Sequence, residues 1–222
     1  MRLRIDLHVH SSKSEDGCST IAEIAESARE RGLDGFAITD HDTPLAYGEA
    51  CELSEELQLV VLPGIEVSTA SGHILILDPR RDFRKGIGLS EALNGALSDG
   101  SVVIIPHPTD PLSHGIGEKL AEDAAKSGAI IESLNASTLS RFNASAQKLA
   151  ERMSVSTVGG SDAHIAKAVG DAYTVVDSNG ADAESVLIAI KKGLTAPEGR
   201  RTRKSTSLET ILKRSKKRIN IK

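Results

Sequence analysis

Short apolar runs bordered by histidine and carboxylate recur through most of this 222-residue chain, and they restrict it to folds that gather distant strand ends at one place. The clusters are Asp6-Leu7-His8-Val9-His10, Thr39-Asp40-His41-Asp42, Gly72-His73, Pro106-His107-Pro108 and Ser161-Asp162-Ala163-His164. Between them stand Asp16 in a Glu-Asp-Gly loop and Glu66 in Gly-Ile-Glu-Val-Ser. Six of the seven histidines lie in these five clusters. Neutral imidazole and carboxylate are the side chains that bind first-row divalent metals. One such cluster is commonly incidental; five, each at an expected strand end, point to a multinuclear metal site.

The apolar runs alternate with amphipathic stretches, the pattern of repeated β-α units. Strands are expected over 3–9, 35–39, 59–67, 73–77, 102–105, 129–134, 155–159 and 173–176. Helices are expected over 20–31, 45–57, 89–98, 117–127, 141–153 and 183–192, the first capped by Thr20 and stopped by Gly32. The alternation favours parallel strands with covering helices, closed as a barrel or left open. Polar clusters that follow directly on several strands favour the barrel, whose chemistry sits where the strand C-termini converge on one axis. An open sheet places its ligands mostly at one switch point.

An apolar fraction of 39% supports a sizeable core in one domain. From Glu198 to Lys222 ten Lys or Arg face two Glu, a net of +8, so the rest of this −4 chain carries −12. Such an acidic body repels phosphate unless bound metals reverse the local field. The expected division is therefore a domain over 1–197 and a basic, partly helical segment over 198–222, packed on the barrel through Leu208, Ile211 and Leu212. Its remaining charges are either solvated or bind RNA or DNA phosphates. With no Trp, two Tyr and three Phe, the chain is poorly supplied for stacking single-stranded bases. Two cysteines give no disulfide framework. The absence of a signal-like N-terminus or a membrane-spanning apolar run leads to the expectation of a cytoplasmic protein with no membrane partner.

His8 and His10 share one face of an extended segment and can chelate one ion together; Asp162 and His164 repeat that spacing. A hairpin turn over 69–72 makes Glu66 and His73 near cross-strand neighbours. Pro106 and Pro108 fix the backbone around His107. This set resembles the PHP (polymerase and histidinol phosphatase) superfamily over roughly residues 3–197, through His-x-His, Thr-Asp-His, a lone Glu, His-Pro and Ser-Asp-x-His. The resemblance implies a distorted seven-stranded α/β barrel with a metal site at the C-terminal ends of its strands, and hydrolysis of phosphoesters. It implies a first ion on His8, His10, Glu66 and Asp162, with Glu66 bridging to a second on His73 and His107. A third falls to Asp16, His41 and His164, and Glu66, His107 and Asp162 are also expected to be catalytic. Six imidazoles and three carboxylates suit two or three Zn, Mn or Fe ions better than Mg. A bridging water with a lowered pKa then supplies the nucleophile.

Outside that set, Asp40 either orients a ligand imidazole or caps the following helix. Glu132 and Asn135 either support the site from behind or are structural. Arg80, Arg81, Arg84, Lys85 and Arg141 either grip substrate or are solvated, and His114 is a loop residue or a proton donor. The expected reaction is metal-dependent hydrolysis of a small phosphomonoester or nucleotide. Two other readings stay open: an exonuclease acting on RNA or DNA, and a noncatalytic RNA-binding barrel like a protein subunit of ribonuclease P.

Overall fold

The computed structural model describes residues 1–220, so the last two residues of the expected basic segment, 221–222, lie outside the described residues. In chain order the elements are β1 (Arg2–Val9), α1 (Ile21–Glu30), β2 (Gly35–Ile38), α2 (Tyr47–Leu57), β3 (Val60–Thr69), β4 (Gly72–Leu77) and α3 (Leu89–Ser98). There follow β5 (Val102–Ile105), α4 (Glu118–Lys126), β6 (Ile130–Asn135), α5 (Ser140–Met153) and β7 (Thr157–Gly160). The chain ends through β8 (Ala172–Asp177), α6 (Ala183–Lys191), β9 (Thr195–Gly199) and α7 (Lys204–Asn220). Helix α1 shows how local sequence sets an element. Thr20 and Glu23 cap its start reciprocally, and Ile21, Ile24, Ala25 and Ala28 form the buried stripe.

The strands form one sheet in the order β7-β6-β5-β4-β3-β2-β1-β8-β9. Its two ends meet through hydroxyls: the Gly159 N–H donates to Thr174 Oγ1 at 2.9 Å, and Thr195 Oγ1 donates to the Thr157 carbonyl at 2.8 Å. The result is an α/β barrel that is nearly closed, with nine strands where seven were expected. Nor are the strands uniformly parallel, because β3-β4, β4-β5, β1-β8 and β8-β9 pair antiparallel. Strand β9 carries Pro197 and pairs with β8 alone, an edge position where a missing N–H costs no ladder bond. Its residues, Thr-Ala-Pro-Glu-Gly, lack the apolar alternation that reveals a strand, and the boundary expected at 197/198 falls inside it.

Side chains from the starts of β1, β3 and β5 fill the barrel bottom, where Val186, Leu187 and Ile190 of α6 close it. Helices α3, α4 and α5 cover one outer flank, and α1 and α2 another. The opposite, open end is where β1, β2, β5 and β7 finish. Helix α7 does not pack through its apolar stripe: Leu208, Ile211 and Leu212 are 58%, 60% and 56% exposed. The inward face is polar instead, with Thr206 buried and Arg214 and Lys217 contacting the loop after β1. Among the described residues no helix is long and apolar enough to cross a membrane.

Candidate metal centre

The loops and strand ends at the open end bring all nine expected ligand residues into one cluster, most of it buried. His8 and His10 leave the end of β1 with their Nε2 atoms 3.1 Å apart. His107 follows β5, Asp162 and His164 follow β7, and His41 follows β2. Strand β4 is antiparallel, so its first residues lie beside the end of β3; Ser68 pairs with His73 there. That register sets the His73 ring over Glu66, with Nδ1 at 2.9 Å from Oε1.

Glu66 lies at the middle of the cluster. Its Oε2 is 3.2 Å from His8 Nε2, 3.1 Å from His10 Nε2 and 3.5 Å from His41 Nδ1. Its Oε1 is 3.3 Å from His107 Nε2. Asp162 Oδ1 stands 3.6 Å from His8 Nε2 and 3.5 Å from His10 Nε2. Asp16 Oδ2 is 3.0 Å from His164 Nε2 and 3.6 Å from His41 Nε2. Donor atoms fall into overlapping groups within 4.8 Å: His10, Asp16, His41 and His164; His8, His107 and Asp162; His8, His10 and Glu66; and His41, Glu66 and His73.

These residues fit divalent cations on chemical grounds. Buried polar atoms normally find hydrogen-bond partners, yet His10 Nδ1, His41 Nδ1 and His107 Nδ1 find none. Imidazole nitrogens and carboxylate oxygens aimed at common points, with several left unpaired, form a donor set that a cation completes.

Behind the cluster, Glu132 holds two of its members. Its Oε1 lies 3.0 Å from His8 Nδ1, while Oε2 accepts from the His107 backbone N–H at 2.8 Å and from Asn135 Nδ2 at 2.9 Å. Such a carboxylate fixes the ring orientation and tautomer of a ligating histidine. Gly160 allows this approach, since a Cβ there would meet His8 Cβ at 2.5 Å. His107 and Asp162 hold left-handed backbone, φ 32° and 52°, which costs of order 1 kcal/mol or more in a non-glycine residue and marks positions fixed by their surroundings.

Several other sequence candidates lie elsewhere. Asp40 neither orients an imidazole nor caps a helix; it accepts from the Ser11 N–H and Oγ, both at 2.6 Å, and so holds the loop after His10. Arg80 is drawn to Asp78 and Arg81 to Asp99, and Arg141 lies over the Phe142 ring. None of these three lines the cavity above the cluster, which measures about 550 Å3. Lys85 and His114 do line it, and the His114 carbonyl accepts from the His73 N–H at 3.0 Å. Two further contributors carry no motif in the sequence: Ser14, whose Oγ donates to Asp16 Oδ1 at 3.0 Å, and Arg214 of α7.

The negative charge that suits the cluster to cations also holds protons on some of its imidazoles. Burial works against a charged His10, but Asp162 and Glu66 accept from it and hold its pKa up at about 10. His8 is likewise raised, burial being outweighed by Asp162, Glu66 and Glu132. Burial dominates at His41 and lowers it to about 4. Glu66 and Asp162 are held below the usual carboxylate range, burial being outweighed by the imidazoles around them. A cation therefore competes with a proton on His10 at neutral pH, and with none on His41. Imidazoles of ordinary basicity would lose a cation only as pH drops through about 6. With His10 raised to about 10, affinity should already weaken between pH 9 and 7, by up to ~10-fold per pH unit. Calorimetric titration with Mn or Zn in buffers of different ionisation enthalpy reads the proton release directly. An affinity independent of pH from 6 to 9 would contradict these proton assignments.

The chain is similar to known proteins over most of its length. Residues 140–195 match the PHP-associated family model. A probable phosphatase of Syntrophotalea carbinolica is 30% identical over 221 residues, covering 84% of this chain and 92% of that protein. Among solved structures, a two-domain Bacteroides vulgatus protein containing a predicted PHP-like metal-dependent phosphoesterase superposes with a TM-score of 0.75 at 18% identity, over 96% of this chain and 70% of that one. The lesion-specific endonuclease PfuEndoQ of Pyrococcus furiosus gives 0.65 at 20% identity, over 86% and 56%. The His-x-His, Thr-Asp-His, His-Pro and Ser-Asp-x-His motifs meet at one barrel end, and a phosphatase relative matches along most of both chains: this chain belongs to the PHP superfamily of metal-dependent phosphoesterases.

Proposed function

We propose that this chain hydrolyses small phosphomonoesters, nucleotides among them, at a centre of two or three Zn, Mn or Fe ions held by His8, His10, Asp16, His41, Glu66, His73, His107, Asp162 and His164. The observation that carries the reading is the gathering of these nine side chains into overlapping donor groups beneath an open cavity. When bound, the ions supply an activated water as nucleophile and positive charge facing the phosphoryl oxygens. Glu66 spans neighbouring donor groups with its two oxygens and sets their separation. Asp162 and His107 complete the face nearest His8, and Glu132 keeps the His8 ring turned towards them. His73 and His41 complete the side facing the cavity. The carboxylates keep His8 and His10 basic, which favours cation binding once a proton leaves.

A complete donor set speaks against a noncatalytic RNA-binding barrel. Nuclease action is supported by the likeness to PfuEndoQ only at the level of fold, and the scarcity of aromatic residues weighs against it. Assaying manganese-loaded protein against a panel of phosphorylated metabolites, nucleotides and short oligonucleotides separates these readings. The expected result is release of inorganic phosphate from monoesters. Trimming of oligonucleotides with no turnover of any monoester would replace this proposal by the nuclease.

A further inference from the structure

We infer that Arg214, carried across the barrel mouth by α7, grips the phosphoryl or a second anionic group of the substrate. Only two fixed cationic side chains, Lys85 and Arg214, line the cavity above the donor cluster among the described residues. Lys85 is 70% exposed and lies 3.8 Å from Asp42, so it is loosely held. Arg214 is placed by a strap that begins at β9. The Arg200 N–H donates to the Asp171 carbonyl at 2.7 Å, the Thr202 N–H to the Ala136 carbonyl at 2.9 Å, and Arg201 Nε to the Thr138 carbonyl at 2.6 Å. On α7 itself, Glu209 pairs with Lys167 at 3.0 Å. Lys217 Nζ donates to three carbonyls of the loop after β1, Ser12 at 3.0 Å, Ser14 at 2.7 Å and Gly17 at 2.7 Å. An ammonium with all three N–H groups bonded is a pin rather than a solvated charge. It fixes the helix one turn from Arg214.

So placed, Arg214 Nη2 reaches Asp16 Oδ2 at 2.5 Å. Asp16 also belongs to the donor group of His10, His41 and His164, and its Oδ1 accepts from Ser14 Oγ. With a cation held by this group, Asp16 would have less negative charge to offer Arg214, and the guanidinium would have N–H donors free for an anion in the cavity it lines. Guanidinium matches phosphate and carboxylate oxygens in a bidentate geometry. The acidic body of the chain makes a local cation more valuable there for an anionic substrate. Arg214 is thus a substrate-binding residue, and Lys217 positions it.

This inference rests on the phosphoesterase reading, and the test separates the two. Inorganic phosphate is titrated calorimetrically into manganese-loaded wild type, Arg214→Met and Arg214→Lys, with metal content measured on each and p-nitrophenyl phosphate turnover recorded alongside. Arg214→Met should weaken phosphate binding and raise KM by about 10- to 100-fold, the size of a lost charge-assisted contact. Its metal content and melting temperature should match wild type, and Arg214→Lys should recover part of the affinity. Unchanged phosphate affinity in Arg214→Met at equal metal content would overturn the inference. So would a weakening that follows loss of metal alone, which would leave Arg214 as a support for Asp16. Wild-type protein that binds phosphate but hydrolyses no ester would defeat the phosphoesterase reading and still report on Arg214.

Discussion

Replacing His8 and His10 together by alanine should abolish phosphoester hydrolysis. Both rings are fully buried, and their Nε2 atoms converge with Glu66 Oε2 and Asp162 Oδ1 within 3.6 Å. Three of the four overlapping donor groups contain one or both of these histidines, so the double replacement depletes most of the cluster. A bound metal contributes several kcal/mol of transition-state stabilisation. Its loss should therefore lower kcat/KM by at least about a thousandfold, ~4 kcal/mol at 1.36 kcal/mol per decade. Metal content should fall by at least one ion per chain in the same protein. Wild-type turnover in the double variant would remove the metal mechanism.

Glu66→Gln should cost more than the loss of any ligand at the edge of the cluster. One carboxylate faces five imidazoles, those of His8, His10, His41, His73 and His107, within 3.5 Å. Glutamine keeps the shape but removes the negative charge and turns one oxygen into a donor that cannot bind a cation. Two neighbouring donor groups lose their shared member at once. His73→Ala takes one imidazole from one group, so it serves as the control. The expected order of metal content and of kcat/KM is wild type, then His73→Ala, then Glu66→Gln, with about 10-fold or more between the two variants. Equal metal content in Glu66→Gln and wild type would show that Glu66 is no bridge.

Much of the site was legible because its residues are rare types at fixed spacings on strand ends. His8 and His10 project together from an extended segment wherever the barrel places it, and the 69–72 turn brings His73 to Glu66 through local chemistry alone. Long-range direction was harder to read. The runs over 73–77 and 173–176 are apolar in either orientation, so periodicity could not show that β4 and β8 run antiparallel. Strand β9 was hidden by Pro197 and its lack of alternation. In α7 the helical period was correct but the face was not. The inward residues are Thr206, Arg214 and Lys217, and hydrophobic patterning assigns such residues to solvent. A polar face turned inward can be read only once its acceptors, the Asp16 carboxylate and three loop carbonyls, are in place.

The most direct test is metal content together with chelation. Purified protein should carry two or three divalent ions per chain. Stripping them with chelator should abolish phosphoester hydrolysis, and adding back Mn or Zn should restore it. Full activity in protein holding less than about 0.1 ion per chain would contradict the account, since the buried imidazole–carboxylate cluster would then have no part in the chemistry.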